Sequence, residues 1–170
     1  TTIRDDREAK WKRILADKLY DKGYRIIEEG VCGRTSVFDD STREGINGAN
    51  VLLMLVETHA PLDQVVLMLG TNYCKTYNHA SADRFGKGIE KLIQQIRKAD
   101  TAIDILLVSP IELGEDVWKP GFDLEFDQHS VKVSKELKQT YLKIAWKYGC
   151  DFLAASDVAK PSKADMEHMN

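Results

Sequence analysis

Gln64-Val65-Val66-Leu67-Met68-Leu69-Gly70-Thr71-Asn72 is an apolar run of strand length that stops on a glycine followed by two polar residues. Its apolar residues are continuous rather than alternating, which predicts a strand over 64–69 buried on both faces, the habit of a parallel sheet. Two similar runs follow, Ile103-Asp-Ile-Leu-Leu-Val108, ended by Ser109-Pro110, and Cys150-Asp-Phe-Leu-Ala154. Tyr24-Arg-Ile-Ile-Glu28 predicts a further short strand leading into a long, exposed loop from Gly30 to Gly48. Helical periodicity fills the intervals. Trp11, Ile14, Leu15, Lys18 and Leu19 share one stripe of a helix that ends at Gly23, and a second helix covers about 49–58. Phe85, Ile89, Leu92, Ile93 and Ile96 mark an amphipathic helix over about 82–99, and another helix spans about 128–148. Residues 111–126 contain two glycines and a proline, so they predict a loop or lid. Helices alternating with apolar strands give an α/β fold with a parallel sheet covered on both faces.

Composition narrows the functional classes. The 170 residues suit one domain, residues 1–170, with 43% hydrophobic and 30% charged residues. A net charge of −3 gives no broad attraction to nucleic acid or to an anionic membrane. No apolar run approaches the roughly 20 residues that cross a bilayer. Three widely spaced cysteines, Cys32, Cys74 and Cys150, form no CxxC pair, which argues against a disulfide framework or zinc site and suits the cytoplasm. His59, His79 and His129 show no ligand spacing, so no metal or other cofactor is expected. The chain begins on Thr1 and stops two residues after His168, and both ends are expected to be cuts.

In open parallel sheets the working residues lie beyond the carboxyl ends of the strands. Gly33, Asn72 and the Asp165-Met-Glu-His168 turn each follow a predicted strand. An aspartate three residues before a histidine can orient the imidazole and stabilise its charged form, the arrangement of a general base. A backbone N–H at Gly33 and the amide of Asn72 are donors suited to an oxyanion. Plainer roles stand beside these. Asn72 can cap the following segment, Gly33 can serve a turn, and Arg34 can either line the site or pair with Asp39 or Asp40. Trp118, Phe122 and Phe126 can wall an acyl pocket or anchor the 111–126 loop, while Cys32 or Cys74 as a nucleophile is disfavoured.

The run Glu28-Glu-Gly-Val-Cys-Gly33-Arg34-Thr35, with Phe38-Asp39-Asp40 and Asn47-Gly48-Ala49 after it, resembles the second block of the SGNH (GDSL-type) hydrolases. It is most similar to their arylesterase and acyltransferase branch. Met68-Leu-Gly70-Thr71-Asn72 resembles the third block, Gly-x-Asn-Asp, and Asp165-x-x-His168 the fifth. The resemblance implies a flavodoxin-like three-layer sandwich and metal-free serine-esterase chemistry. His168 would be the base and Asp165 its orienter. Gly33 and Asn72 would form the oxyanion hole, with Arg34 and Thr71 on the substrate side. Two departures stand out. Tyr73 replaces the last Asp of block three, which threatens the geometry of that turn. The Gly-Asp-Ser block on the first, central strand is missing, and none of the serines takes its place.

An empty central slot would orphan backbone groups at about 1–3 kcal/mol each. The slot is therefore expected to be filled by a preceding segment or by a strand from a partner. The function expected is hydrolysis of small acyl or acetyl esters, with a small-molecule ester as substrate. No nucleic-acid or membrane partner is expected, and self-association into a homo-oligomer is left open. The alternative is a non-catalytic flavodoxin-like relative that binds a ligand or partner through the same pocket.

Overall fold

A computed structural model describes residues 8–40, 43–79 and 81–169. Helix α1 (Glu8–Tyr20) is followed by α2 (Gly48–His59), strand β1 (Gln64–Met68), α3 (Ala82–Ala99), β2 (Asp104–Ser109), α4 (Gln128–Tyr148) and β3 (Asp151–Ala154). The strands pair in parallel in the order β1-β2-β3, with Leu67 opposite Leu107 and Leu107 opposite Phe152. The α/β sandwich implied by the sequence is present, as three parallel strands with flanking helices.

The helix boundaries follow from caps. Asn47 accepts from the Ala49 N–H at 3.0 Å and opens α2. Asp127 and Ser130 form a reciprocal capping box at the head of α4, which ends on Gly149 in the left-handed region. Helix α3 is begun by Ser81 and buries all five residues of its predicted stripe to 1% exposure or less.

Side chains alternate along each strand, so the two faces of the sheet meet different neighbours. Val65, Leu67, Ile105, Leu107 and Phe152 join the main core with residues of α2, α3 and α4. On the other face, Met68, Leu106 and Val108 pack against Ile111, Ala155, Ala159 and Met169. Val66 and Leu153 on that face are 43% and 42% exposed. The expectation that 64–69 is buried on both faces is therefore corrected. Helices seal one side, and the chain beyond β3 covers only part of the other.

Residues 24–28 also differ from expectation, because they do not form a strand. Extended backbone becomes a strand by pairing its N–H and C=O groups, and no neighbouring strand pairs with 24–28 among the described residues. The Gly30–Gly48 loop is less exposed than its composition suggested. Thr35 and Ser36 are buried, and the Thr35 N–H donates to Ile46 O at 3.0 Å. Gly48 in turn donates to Thr35 O at 2.8 Å. A β-carbon on Gly48 would lie 2.8 Å from that carbonyl, so this close approach needs glycine.

Candidate active site

Two clusters of candidate residues follow strands β1 and β3 in the chain. The first follows β1. Gly70 leads into a short 3-10 helix, Thr71–Cys74, which carries Asn72. The Asn72 amide nitrogen donates to Arg34 O at 3.2 Å, which places it beside Gly33. Gly33 sits at φ +78°, where a side chain would be strained. Its N–H makes no hydrogen bond to any described residue. Asn72 has two amide hydrogens, so one can hold Arg34 O while the second remains for a ligand.

Tyr73 is the structural answer to the departure at block three. Its phenol oxygen accepts the Ser36 N–H closely and the Val37 N–H at 3.0 Å. The ring stacks on Phe85 at 4.8 Å and meets Phe38 edge-on at 5.2 Å. Burial outweighs those two hydrogen bonds and raises the phenol far above its ordinary pKa, so it stays neutral. The sequence reading saw a lost tether. The fold shows a buried tyrosine tying the Gly33 loop to the Asn72 turn.

The second cluster lies beyond β3. Asp165 Oδ1 accepts the N–H groups of Glu167 and His168, each at 3.0 Å, and Oδ2 faces His168 Nδ1 at 3.0 Å. Burial pushes this carboxyl up, but the backbone N–H groups of His168 and Glu167, then the imidazole itself, bring it below its ordinary value. An ionised Asp165 can only accept, so Nδ1 carries the hydrogen of that pair. The turn is closed by Ser162 N–H to His168 O at 2.6 Å and Met166 N–H to Ser162 O at 2.8 Å.

Other expectations resolve one by one. Arg34 does not pair with Asp39, whose Oδ1 accepts from Asn47 at 3.0 Å and Asn50 at 3.3 Å. The Arg34 Nε is buried without a hydrogen-bond partner among the described residues. Phe126 is in the core and Trp118 packs against it, so both anchor the 111–126 segment. Thr71 is half-buried at the head of the 3-10 helix. Cys32 is exposed, whereas burial pushes the Cys74 thiol up to about 12, which leaves it almost no thiolate near neutral pH. Ser81, Ser130 and Ser162 serve caps and turns, Ser134 inside α4 donates to Val131 O and accepts the Leu113 N–H, and Ser36, Ser109 and Ser156 are buried. Ser41 lies outside the described residues.

Lys75 carries a role that the sequence reading missed. Its ammonium pairs closely with Glu125 and lies 3.8 Å from Asp123, with its side chain 16% exposed. Partners fifty residues apart leave no local spacing to read.

Comparisons with known proteins identify the family and agree with the fold. Residues 2–169 match the GDSL-like lipase/acylhydrolase family. Est24, a carbohydrate acetylesterase from Sinorhizobium meliloti, is 33% identical with a TM-score of 0.85, over 94% of this chain and 76% of its own. The native M. smegmatis aryl esterase is 31% identical with a TM-score of 0.85, over 94% of this chain and 76% of its own. No curated protein matches the sequence. The chain belongs to the GDSL-like lipase/acylhydrolase family, the SGNH hydrolases, and is an enzyme of the esterase type. No described helix is long and apolar enough to cross a membrane.

Proposed function

We propose that this chain supplies the base and the oxyanion hole of a Ser-His-Asp hydrolase acting on small acyl or acetyl esters. The observation that carries the reading is the Asp165–His168 pair at 3.0 Å, with the carboxylate fixed by two backbone N–H groups. With Nδ1 held, Nε2 is the nitrogen that takes a proton from an attacking hydroxyl.

The nucleophile in this reading is a serine on a strand paired with the open edge of β1. Two features support that position. Among the described residues β1 is paired on one side only, and the buried Arg34 Nε has no hydrogen-bond partner. The serine oxygen attacks the acyl carbon as its proton passes to His168. Gly33 N–H and the Asn72 amide hold the negative oxygen that results. Collapse expels the alcohol, which takes the proton back from His168, and water then repeats the sequence on the acyl-enzyme. Arg34 and Thr71 contact the substrate. The acetylesterase and arylesterase activities named for the two neighbours support short acyl groups.

Hydrolysis of p-nitrophenyl acetate by the full-length protein tests the reading. His168→Ala should lower kcat/KM by about 10³-fold or more, and Asn72→Ala by about 10²–10³. Equal turnover by the parent and His168→Ala would remove the assignment and leave a ligand-binding relative.

A further inference from the structure

The turn that pairs Asp165 with His168 bends at Met166, whose backbone lies in the left-handed region at φ 60°. A residue with a side chain seldom adopts that conformation. The bend separates Asp165 from the Glu167 and His168 N–H groups that its carboxylate accepts. Such a conformation persists where its surroundings fix it. Here both backbone polar groups of Met166 are held. Its N–H donates to Ser162 O at 2.8 Å, and its O accepts the Gly114 N–H at 2.8 Å.

Gly114 meets this turn from a firm base. Leu113 before it is buried in the main core, and its N–H donates to Ser134 Oγ of α4 at 3.1 Å. Gly114 O accepts the Val117 N–H at 3.1 Å, and Val117 is fully buried. Against the Met166 side chain Gly114 has no room to spare. A β-carbon on Gly114 would lie 2.7 Å from Met166 Sδ, 2.8 Å from its Cβ and 3.2 Å from its Cγ. The sulfur ends a flexible chain and can swing aside. The Cβ is fixed to the Met166 backbone and cannot. Because Leu113 and Val117 anchor the Gly114 side in the core while residues 165–168 are half-buried to exposed, it is the turn that must give way.

We propose that Gly114 is a positioning residue for the general base, seating Met166 through its N–H and its missing side chain so that Asp165 and His168 keep their working geometry. This deepens the hydrolase reading and rests on it for the role of His168. Gly114 needs no contact with the substrate to act in this way. A shift of about 1 Å in a catalytic group, caused from outside the chemistry, can slow a reaction about 10²-fold. The loss should fall on kcat, because the groups assigned to the substrate and the oxyanion lie on other elements.

The test is a double-mutant cycle of Gly114→Ala and Met166→Gly in the full-length protein, assayed on p-nitrophenyl acetate. Gly114→Ala should lower kcat by about 10–10²-fold, with KM within about threefold of the parent's. Met166→Gly removes the clashing Cβ, keeps the backbone acceptor for the Gly114 N–H and suits a positive φ. It should cost kcat no more than about fivefold, and adding Gly114→Ala to it should cost at most about twofold more. That second step remains readable if Gly114→Ala alone does not fold. Losses that multiply, or a Gly114→Ala protein with unchanged kcat, overturn the proposal. Amide hydrogen exchange at Glu167 and His168, followed by NMR, reads the same turn without turnover. It should quicken about tenfold in Gly114→Ala while the α3 amides hold their rates. Exchange that is unchanged, or that quickens equally in α3, also overturns the proposal. Quickened exchange in the turn, with esterase activity that survives His168→Ala, would sink only the hydrolase reading.

Discussion

The two faces of the sheet are built from the same strands and nearly the same residue types, yet they end in different environments. Leu67, Ile105 and Leu107 alternate with Val66, Leu106 and Val108 along β1 and β2. The first set is sealed by α2, α3 and α4, while on the second Val66 stays 43% exposed beside a cover made from the 155–169 chain. Apolar runs report that a segment can be buried. What covers each face is decided by elements far away in sequence.

The contrast can be tested by substitution. Leu107 is fully buried in the helix-covered face, and Leu107→Ala should cost about 3–4 kcal/mol by leaving a cavity. Thermal unfolding would register that as a fall in Tm of about 8–12 °C. A loss near 1 kcal/mol would mean that the helix layer adjusts to fill the space and is less rigid than described.

Tyr73→Phe keeps the ring but removes the acceptor for the Ser36 and Val37 N–H groups. Two orphaned donors should cost about 2–3 kcal/mol in denaturant unfolding. Stability equal to the parent's would show that the Gly33 loop is held by other means.

On the thinly covered face, Val66→Thr should change stability by less than about 0.5 kcal/mol. A loss of about 2 kcal/mol in the full-length protein would show that another segment lies over Val66 in solution.

The smallest effect concerns the turn that carries Met169 onto this face. The Asp165 carboxyl is lowered in the fold, so its contribution is complete above about pH 4 and is lost as pH falls through the lowered value. Asp165→Asn should therefore be less stable than the parent at pH 6, with the two converging in acid. A gap that persists at pH 2 would contradict this account. Because Asp165 is well exposed, solvent screening keeps the gap small.

Much of this was legible in the chain. The α3 stripe, the α4 limits and the three parallel strands follow from local periodicity and caps, and Asp165-x-x-His168 is a local spacing. Tyr24–Glu28 misled because strand propensity says nothing of whether a pairing partner exists. The roles of Tyr73 and Lys75 depend on Ser36, Val37, Asp123 and Glu125, which are distant in sequence and adjacent only after folding. A tyrosine where the family carries aspartate looked like a loss. In the fold its buried phenol instead holds the Ser36 and Val37 N–H groups.

Cys32 is exposed one position before Gly33, whereas Cys74 is buried and Cys150 half-covered. Alkylating reagents and oxidants will therefore meet Cys32 first. Whatever they leave there crowds the glycine N–H proposed to receive the negative oxygen. Storage in a reductant preserves the site, and a small fluorophore on that sulfur would serve as a built-in reporter of ligands arriving beside it.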